Sequence, residues 1–369
     1  MKKAKLFGFG TVAMASALLL AACGNGGGKT DSTDAATDGK TDGAHSVAVV
    51  TDVGGVDDRS FNQSAWEGLQ AWGEEQGLVR GVGGYDYLQS DEASQYATNI
   101  SNAVQNGFHT VFGVGFLLQP EIEAAAGQNT DTNFVIIDSV IEGQDNVVSA
   151  TFKDHEAAYL AGVAAAHTTQ TNKIGFVGGE ESPVIDRFEA GFVKGIEDTA
   201  KELGKEIDVD VQYAASFNDS PRGKAIAASM YQNGADIIYH ASGGTGAGVF
   251  QEAHAINEKL NEADLADKKV WVIGVDSDQQ DEGKFTTADG VDDNFTLTSS
   301  LKGVGAAVQD LSTRAMNDEF PGGEHIEYGL SDGGVDLTDG FLSDDAKAAV
   351  AQAKEDILAG KIDIPEKPE

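Results

Sequence analysis

Short apolar runs alternate with helical segments from residue 46 onward, and this alternation constrains the fold more than any other feature of the sequence. SVAVVTD (46–52), HTVFGVG (109–115), NFVIIDS (133–139) and NKIGFVGG (172–179) have the length and apolar content of buried strands. SFNQSAWEGLQAWGEEQG (60–77) has helical periodicity instead. Such alternation is typical of βαβ units. We therefore predict an α/β fold of two doubly wound parallel-sheet lobes with a ligand cleft between them.

The N-terminal segment, MKKAKLFGFGTVAMASALLLAAC, predicts export. Lys2, Lys3 and Lys5 form a basic region before an apolar stretch that is shorter than the roughly 20 residues of a bilayer span. The stretch ends in LAAC, which resembles the lipobox of bacterial lipoproteins, and Cys23 is the only cysteine of the chain. We expect residues 1–22 to be a lipoprotein signal peptide and Cys23 to carry lipid. The alternative is an ordinary secretory signal with an incidental cysteine.

The segment after Cys23 is rich in Gly, Thr, Asp and Ser and nearly free of apolar residues, so it cannot form a core. We predict a flexible tether over residues 23–45. The rest of the chain is long enough for two lobes. The order of strands and helices suggests that the chain crosses between them more than once. We expect lobe 1 to comprise residues 46–152 and 277–300, and lobe 2 residues 153–276 and 301–369.

The charge of the chain excludes one class of partner. The formal net charge is −35, and without residues 1–22 there remain 22 basic against 60 acidic residues. Binding of nucleic acid requires clustered Lys and Arg, so we expect no nucleic-acid partner. The acidity is that of a solvated surface on an exported protein.

Polar residues and glycines end each predicted strand. In open parallel sheets, ligands bind outside the carboxyl ends of the strands, so these positions are the candidate site. They are Asp52, Gly113, Gly115, Asp138, Gly178, Gly179, the run from Ser242 to Gly244, and Asp276. Two facing lobes would enclose a polar cleft between these residues.

The segment DVGGVDDRSFNQSAWEGL (52–69) joins the first strand to the first helix. Ser60 and Gln63 have the spacing of a capping box, which predicts a helix that begins at Phe61. Phe61 and Asn62 would then lie in the first turn, at the cleft end of the helix. The alternative is that Phe61 packs onto the core and that the acidic residues only favour the helix N-terminus.

Several motifs in order resemble one family. With the segment above they are GVGF, FVIID, YLAGVAAAHTTQTNKIGFVGG, RFEAGF, ADIIYHASGGTGAGVFQEA, WVIGVDSDQ and SSLK. They resemble the basic membrane protein family of ABC-transporter substrate-binding lipoproteins, of the purine nucleoside receptor (PnrA-like) type, from about residue 46 onward. The resemblance implies a type I periplasmic binding protein-like fold, a nucleoside ligand, an ABC transporter permease as partner, and lipid anchoring through Cys23 at the extracellular face of the cell membrane.

The resemblance also implies roles for individual residues. Phe61 and Phe188 would enclose the base, Asn62 and Asp138 would hydrogen-bond its edge near Asp52, and the ribose hydroxyls would contact Gly244, Asp276 and Lys302. Phe188 and Phe192 share one apolar face of a predicted helix, so either ring could instead be buried in the core.

Enzyme motifs do not fit the sequence. A dinucleotide-binding reading of the turn at Gly244 would need a third glycine where Val249 stands. The sequence has no GxxxxGK[ST] or HExxH motif, and we expect no catalytic residue, metal or cofactor. The prediction is a solute receptor that delivers nucleosides, preferably purine nucleosides, to an ABC importer. The alternatives are a sugar or autoinducer on the same scaffold, or a nucleoside hydrolase.

Overall fold

The computed structural model describes residues 45–368. The predicted signal peptide, Cys23 and the predicted tether up to residue 44 lie outside the described residues. Within the described part, no helix is both long enough and apolar enough to cross a bilayer.

Strands and helices alternate along most of the chain. The strands are β1 (Val47–Thr51), β2 (Tyr85–Leu88), β3 (Thr110–Val114), β4 (Asn133–Ile137), β5 (Val147–Phe152), β6 (Lys173–Gly178), β7 (Asp208–Tyr213), β8 (Ile237–Ala241), β9 (Trp271–Asp276), β10 (Lys284–Thr286), β11 (Asp292–Asn294), β12 (Thr296–Lys302), β13 (His325–Tyr328) and β14 (Val335–Leu337). The helices are α1 (Phe61–Glu75), α2 (Tyr96–Gln105), α3 (Gln119–Gln128), α4 (Asp154–Thr168), α5 (Pro183–Leu203), α6 (Ser220–Gln232), α7 (Gly246–Asn257), α8 (Leu265–Lys268), α9 (Val304–Met316) and α10 (Asp344–Leu358).

Two six-stranded sheets form the centres of the two lobes. The first has the order β13-β5-β4-β3-β1-β2 and the second β14-β12-β9-β8-β6-β7, with β10 and β11 as a separate hairpin. All pairs are parallel in the first sheet, and only β12 with β14 is antiparallel in the second. The sheets therefore share one strand order and differ in the direction of the edge strand, with β4 and β9 at equivalent places. The predicted α/β class is confirmed.

Helix α4 joins the two lobes. Tyr159 and Leu160 belong to the apolar core of the first sheet, and Ala161 and Ala165 to that of the second. A helix that is buried on all sides carries apolar residues around its whole circumference, as α4 does over most of its length. The two cores are thus packed on one shared helix.

The chain crosses between the lobes in three neighbouring segments, here called the hinge: residues 152–154, 302–304 and 328–335. The Lys153 N–H donates to the Tyr328 carbonyl at 2.8 Å, and the Gly303 N–H donates to the Gly334 carbonyl at 2.8 Å. These hydrogen bonds keep the three crossings side by side.

The sheet pairing differs from the predicted division of the chain in two places. Residues 277–300 were expected in lobe 1, but β12 pairs with β9 and Leu297 lies in the second core. Residues 301–369 were expected in lobe 2, but α9 packs on α1 and β13 pairs with β5 in the first sheet. The reason is that the second crossing follows β12, and that β13 and β14 are too short to give a strand pattern.

Candidate functional site

A cavity lies between the two lobes at the carboxyl ends of both sheets. Its empty space is about 540 Å³, including its opening to solvent. All eight residues that the sequence proposed as ligand contacts line it: Asp52, Phe61, Asn62, Asp138, Phe188, Gly244, Asp276 and Lys302. The structure therefore brings the predicted residues together from both lobes, while their role as ligand contacts remains a prediction.

Further side chains line the same cavity and were not predicted, among them one carboxylate and two aromatic rings. Asp58 lies in the β1–α1 loop, Phe116 follows β3, and Phe217 follows β7. Phe116 stands directly after the strand-end glycine of GVGF, so the strand-end rule could have found it. Phe217 lies four residues beyond its strand, where that rule gives no signal.

The β1–α1 loop is organised by two carboxylates around one amide. The Asn62 Nδ2 donates to Asp52 Oδ1 at 2.7 Å and to Asp58 Oδ2 at 2.9 Å, and Asn62 Oδ1 accepts from the Asp52 N–H at 3.3 Å. Both amide hydrogens of Asn62 are thus engaged within the loop. Asn62 holds the two aspartates in place, and only its carbonyl oxygen has capacity left for a ligand.

The N-terminus of α1 is not capped as predicted. Asp58 accepts hydrogen bonds from the N–H groups of Ser60, Asn62 and Gln63, so its carboxylate satisfies the first turn. Ser60 makes no side-chain cap, and its hydroxyl donates to Asp276 Oδ2 in the other lobe. Asp58 caps the helix in place of Ser60 because a carboxylate accepts several N–H groups at once and is favoured at a helix N-terminus.

Two aspartates occupy equivalent places in the two sheets. Asp138 follows β4 with φ of 66°, and Asp276 ends β9 with φ of 64°. Left-handed backbone is uncommon for residues other than glycine, although Asp tolerates it better than most. Both carboxylates line the cavity. An unusual backbone conformation is therefore used twice, once in each lobe, where the chain turns out of the strand.

Lys302 is the cation of the cavity lining. Its Nζ lies 2.7 Å from Asp138 Oδ2 and 3.2 Å from Asp154 Oδ1. Burial disfavours the charged ammonium, but Asp138, Asp154 and Asp276 together raise the pKa of Lys302 above its usual value. Lys302 is therefore protonated at neutral pH.

Burial has the largest effect on the pKa values of three cavity aspartates, Asp52, Asp138 and Asp276. It raises the pKa of Asp52 to about 6, against hydrogen bonds from Asn62 and Gly54, and that of Asp276 to about 7, against Lys302 and Ser60. The pKa of Asp138 is also raised by burial, although Lys302 opposes the shift. Asp138 Oδ1 is buried and has no hydrogen-bond partner, so it is an acceptor available to a ligand.

Aromatic rings approach the cavity from both lobes. The Lys302 Nζ lies 5.2 Å from the ring centroid of Phe61 and 5.6 Å from that of Phe188. Phe192 is fully buried and packs on Phe176 and Tyr239, so Phe188 is the ring of α5 that reaches the cavity. The apolar face of α5 therefore contributes Phe192 to the core and Phe188 to the cavity lining.

The lobes also touch across the cleft. The ring centroids of Phe116 and Phe217 are 6.1 Å apart in an edge-to-face arrangement. Gln279 Nε2 donates to the Arg59 carbonyl at 3.0 Å, and the Arg59 guanidinium pairs with Glu282. These contacts join the two lobes.

These features define a class of protein. The cavity offers aromatic faces, carboxylate acceptors and one ammonium, and no group of His, Cys, Asp or Glu among residues 45–368 is arranged to hold a metal ion. Two doubly wound lobes that close on such a cavity form a solute-binding protein.

The comparisons with known proteins give the family. The family model described as "ABC transporter substrate-binding protein PnrA-like" matches residues 45–367. An "ABC transporter nucleoside-binding protein BmpA" of Lactococcus lactis subsp. cremoris is 51% identical, over 99% of this chain and 100% of that protein. A "CD4+ T-cell-stimulating antigen" of Listeria monocytogenes is 47% identical, over 96% of each chain. The chain belongs to this family of ABC transporter substrate-binding proteins, which are binding proteins and not enzymes.

A solved structure supports the fold. The solute-binding protein of an ABC transporter system from Aeropyrum pernix has a TM-score of 0.74 and 25% identity, and the match covers 88% of this chain and 94% of that one. The predicted family and the prediction that the chain is not an enzyme are confirmed by these matches.

Proposed function

We propose that this protein is a lipid-anchored receptor that binds a nucleoside, preferably a purine nucleoside, between its lobes and delivers it to the permease of an ABC importer. The observation that carries the proposal is the chemistry of the cavity lining. A nucleoside presents an apolar ring face, a base edge with donors and acceptors, and vicinal hydroxyls. The cavity combines aromatic rings, buried carboxylates and an ammonium, one kind of group for each of these parts.

The aromatic rings account for the base. Phe61 stacks on one face of it, and Phe188 covers the other. Stacking of a base on an aromatic side chain contributes about 1–3 kcal/mol and increases with the overlapping ring area, which favours purines over pyrimidines. Phe217 also lines the cavity and is the second candidate for the opposite face.

The polar residues account for orientation. Asp52 and Asp138 accept hydrogen bonds from N–H groups of the base edge, and Asp138 Oδ1 lacks a protein partner. Asn62 contributes through its carbonyl oxygen, because Asp52 and Asp58 occupy its amide hydrogens. The ribose lies toward Gly244, Asp276 and Lys302, where a carboxylate can accept from a hydroxyl and the ammonium can donate to one.

A ligand panel tests the function. We expect calorimetry of the mature chain to give submicromolar binding of adenosine, guanosine or inosine, weaker binding of cytidine and uridine, and much weaker binding of free adenine and of AMP. AMP is disfavoured because its phosphate would enter a cavity whose lining holds four aspartates and one lysine.

The alternatives have distinct outcomes in the same panel. Tight binding of a pentose, a hexose or an autoinducer without binding of nucleosides would replace the proposed ligand. Chromatography of the adenosine incubation should show no adenine above the protein-free control, because release of free base would indicate a nucleoside hydrolase.

The anchoring has its own test. We expect Cys23→Ser to give an exported protein that is released into the medium, because the thiol that would carry the lipid is lost. A single acyl chain binds membranes only marginally, so stable retention needs the multiple chains of a lipoprotein. Cell fractionation with metabolic lipid labelling measures this, with Ser16→Ala in the same predicted signal peptide as the control. Retention and labelling of the Cys23→Ser protein would contradict the proposal.

Closure on the ligand is the last expectation from this function. A nucleoside that contacts both lobes should favour the closed arrangement, because it binds that arrangement better than the open one. Small-angle scattering should give a smaller radius of gyration with adenosine than without it. Phe61→Ala at the same subsaturating adenosine concentration should show less compaction. An identical radius at saturating adenosine would indicate a rigid cavity.

A further inference from the structure

Four charged side chains, three of them buried and that of Arg187 half-buried, alternate in sign and connect the two lobes. The Asp138 carboxylate lies 2.7 Å from the Lys302 ammonium, which lies 3.2 Å from the Asp154 carboxylate, and Arg187 Nε lies 3.5 Å from Asp154 on the far side. Asp138 and Lys302 line the cavity, whereas Asp154 and Arg187 do not. The chain of charges therefore continues beyond the candidate ligand site.

The four residues belong to different parts of the fold. Asp138 is on the first sheet, and Arg187 is on α5 of the second lobe. Lys302 and Asp154 lie between them in two of the three hinge segments, at the end of β12 and the start of α4. The charged chain thus runs from one lobe through the hinge to the other.

Asp154 is unusual for a residue at a helix N-terminus. Its side chain is fully buried, and neither carboxylate oxygen has a hydrogen-bond partner. An acidic residue that only stabilised the helix would accept N–H groups of the first turn. Here one oxygen faces Lys302 and the other faces Arg187. The Asp154 carboxylate therefore interacts with the two cations and accepts no hydrogen bond from the helix backbone.

We propose that Asp154 is a positioning residue, supported by Arg187, that fixes the Lys302 ammonium in the cavity and makes its contact with a ligand depend on the relative position of the lobes. The inference rests on the proposed function, in which Lys302 contacts the nucleoside. An ammonium has three N–H donors. One of them donates to Asp138, the negative charge of Asp154 attracts the ammonium at 3.2 Å, and the remaining donors are left for a ligand hydroxyl.

The arrangement also sets the charge of Lys302. The carboxylates that face its ammonium are Asp138, Asp154 and Asp276, and they outweigh the burial that would lower its pKa. Without Asp154, fewer negative charges counteract the effect of burial, so the pKa of Lys302 falls. The ammonium then loses its proton as pH rises, at a pH where the unmodified protein retains it.

The test is Asp154→Asn, which keeps the side-chain shape, with adenosine titrated calorimetrically between pH 6 and 9. We expect affinity to fall about 3- to 30-fold at pH 6 and to fall further toward pH 9, while the unmodified protein is flatter over this range. Asp154→Glu should restore most of the affinity and the flatter profile. Asp198→Asn is the matched control: Asp198 pairs with Lys194 at 2.6 Å on α5, away from the cavity, and its loss should change neither quantity.

The outcomes separate the two proposals. If the unmodified protein does not bind adenosine, the proposed function fails. If it binds and Asp154→Asn has the same affinity and pH profile, the positioning role is overturned. Should Asp154→Asn fail to fold, Arg187→Gln carries the test, because Arg187 is partly exposed and its loss leaves Asp154 less compensated. At least threefold weaker adenosine binding supports the inference, and unchanged affinity overturns it.

Discussion

Replacement of Lys302 by Met should lower the free energy of unfolding by about 3–5 kcal/mol at pH 7 and abolish the preference for ribonucleosides over free bases. Removal of one partner of a buried ion pair leaves the other charge uncompensated, and such losses are of this size. Here Asp138 would lose the cation that donates a hydrogen bond to it, and Asp154 would keep only the more distant Arg187. Chemical denaturation and calorimetry with adenosine and adenine measure the two effects.

The pH dependence distinguishes this mechanism from a simple packing defect. Without Lys302, the pKa of folded Asp138 rises further above its unfolded value, because burial already raises it. Stability from such a group is fully present below the unfolded pKa and is lost as pH rises through the folded pKa. The deficit of Lys302→Met should therefore shrink toward pH 4. Lys194→Met, which breaks a partly exposed pair, should cost no more than about 1 kcal/mol. A deficit of equal size at pH 4 and pH 7 would contradict the explanation.

Phe61→Ala should weaken the binding of every nucleoside by about 1–3 kcal/mol, which is roughly 5- to 150-fold in Kd. The reason is that the ring supplies a stacking surface that does not depend on the identity of the base. Phe61→Tyr should cost much less, since the aromatic face is retained. Calorimetry with adenosine, guanosine and cytidine measures the loss for each base. Unchanged affinity in Phe61→Ala would place the base elsewhere in the molecule.

Two further alanine variants identify the second stacking surface, and a third is their control. Phe188→Ala and Phe217→Ala each remove a ring that lines the cavity, and the larger loss of affinity marks the ring that covers the opposite face of the base. Phe192→Ala is the control. It should lower the free energy of unfolding by about 3–5 kcal/mol because its ring is in the core, yet the folded fraction should bind adenosine normally.

Much of the fold could be predicted from local pattern. Strands such as β1 and β4 are buried on both faces, so they read as continuous apolar runs, and α1 begins at Phe61 as predicted. The crossings between lobes could not be placed correctly. Strands β13 and β14 have four and three residues, and their pairing depends on partners more than 30 residues away in sequence.

The candidate site was predictable where the strand-end rule applies. Asp52, Asp138 and Asp276 directly follow or end parallel strands, and the topology brings them to the carboxyl-end edges of the two sheets, which face the cavity. Asp154 escaped the prediction for a physical reason: its importance lies in two cations from distant parts of the chain, and nothing in its own neighbourhood indicates them. The role of Ser60 was missed for a similar reason, because Asp276 reaches its hydroxyl from the other lobe.

The left-handed backbone at Asp138 and Asp276 has a consequence for laboratory evolution. Each position would be relieved of strain by glycine, which adopts positive φ without a steric penalty, whereas other residues pay roughly 1 kcal/mol for it. The same replacement removes a buried carboxylate whose pKa burial raises. A selection for heat resistance alone should therefore enrich glycine at Asp276 but not at Asp138, whose loss would leave the buried Lys302 without its partner at 2.7 Å. The Asp276→Gly variants should be more stable and bind the nucleoside more weakly. Screens for robust variants of this chain need adenosine capture as a second criterion.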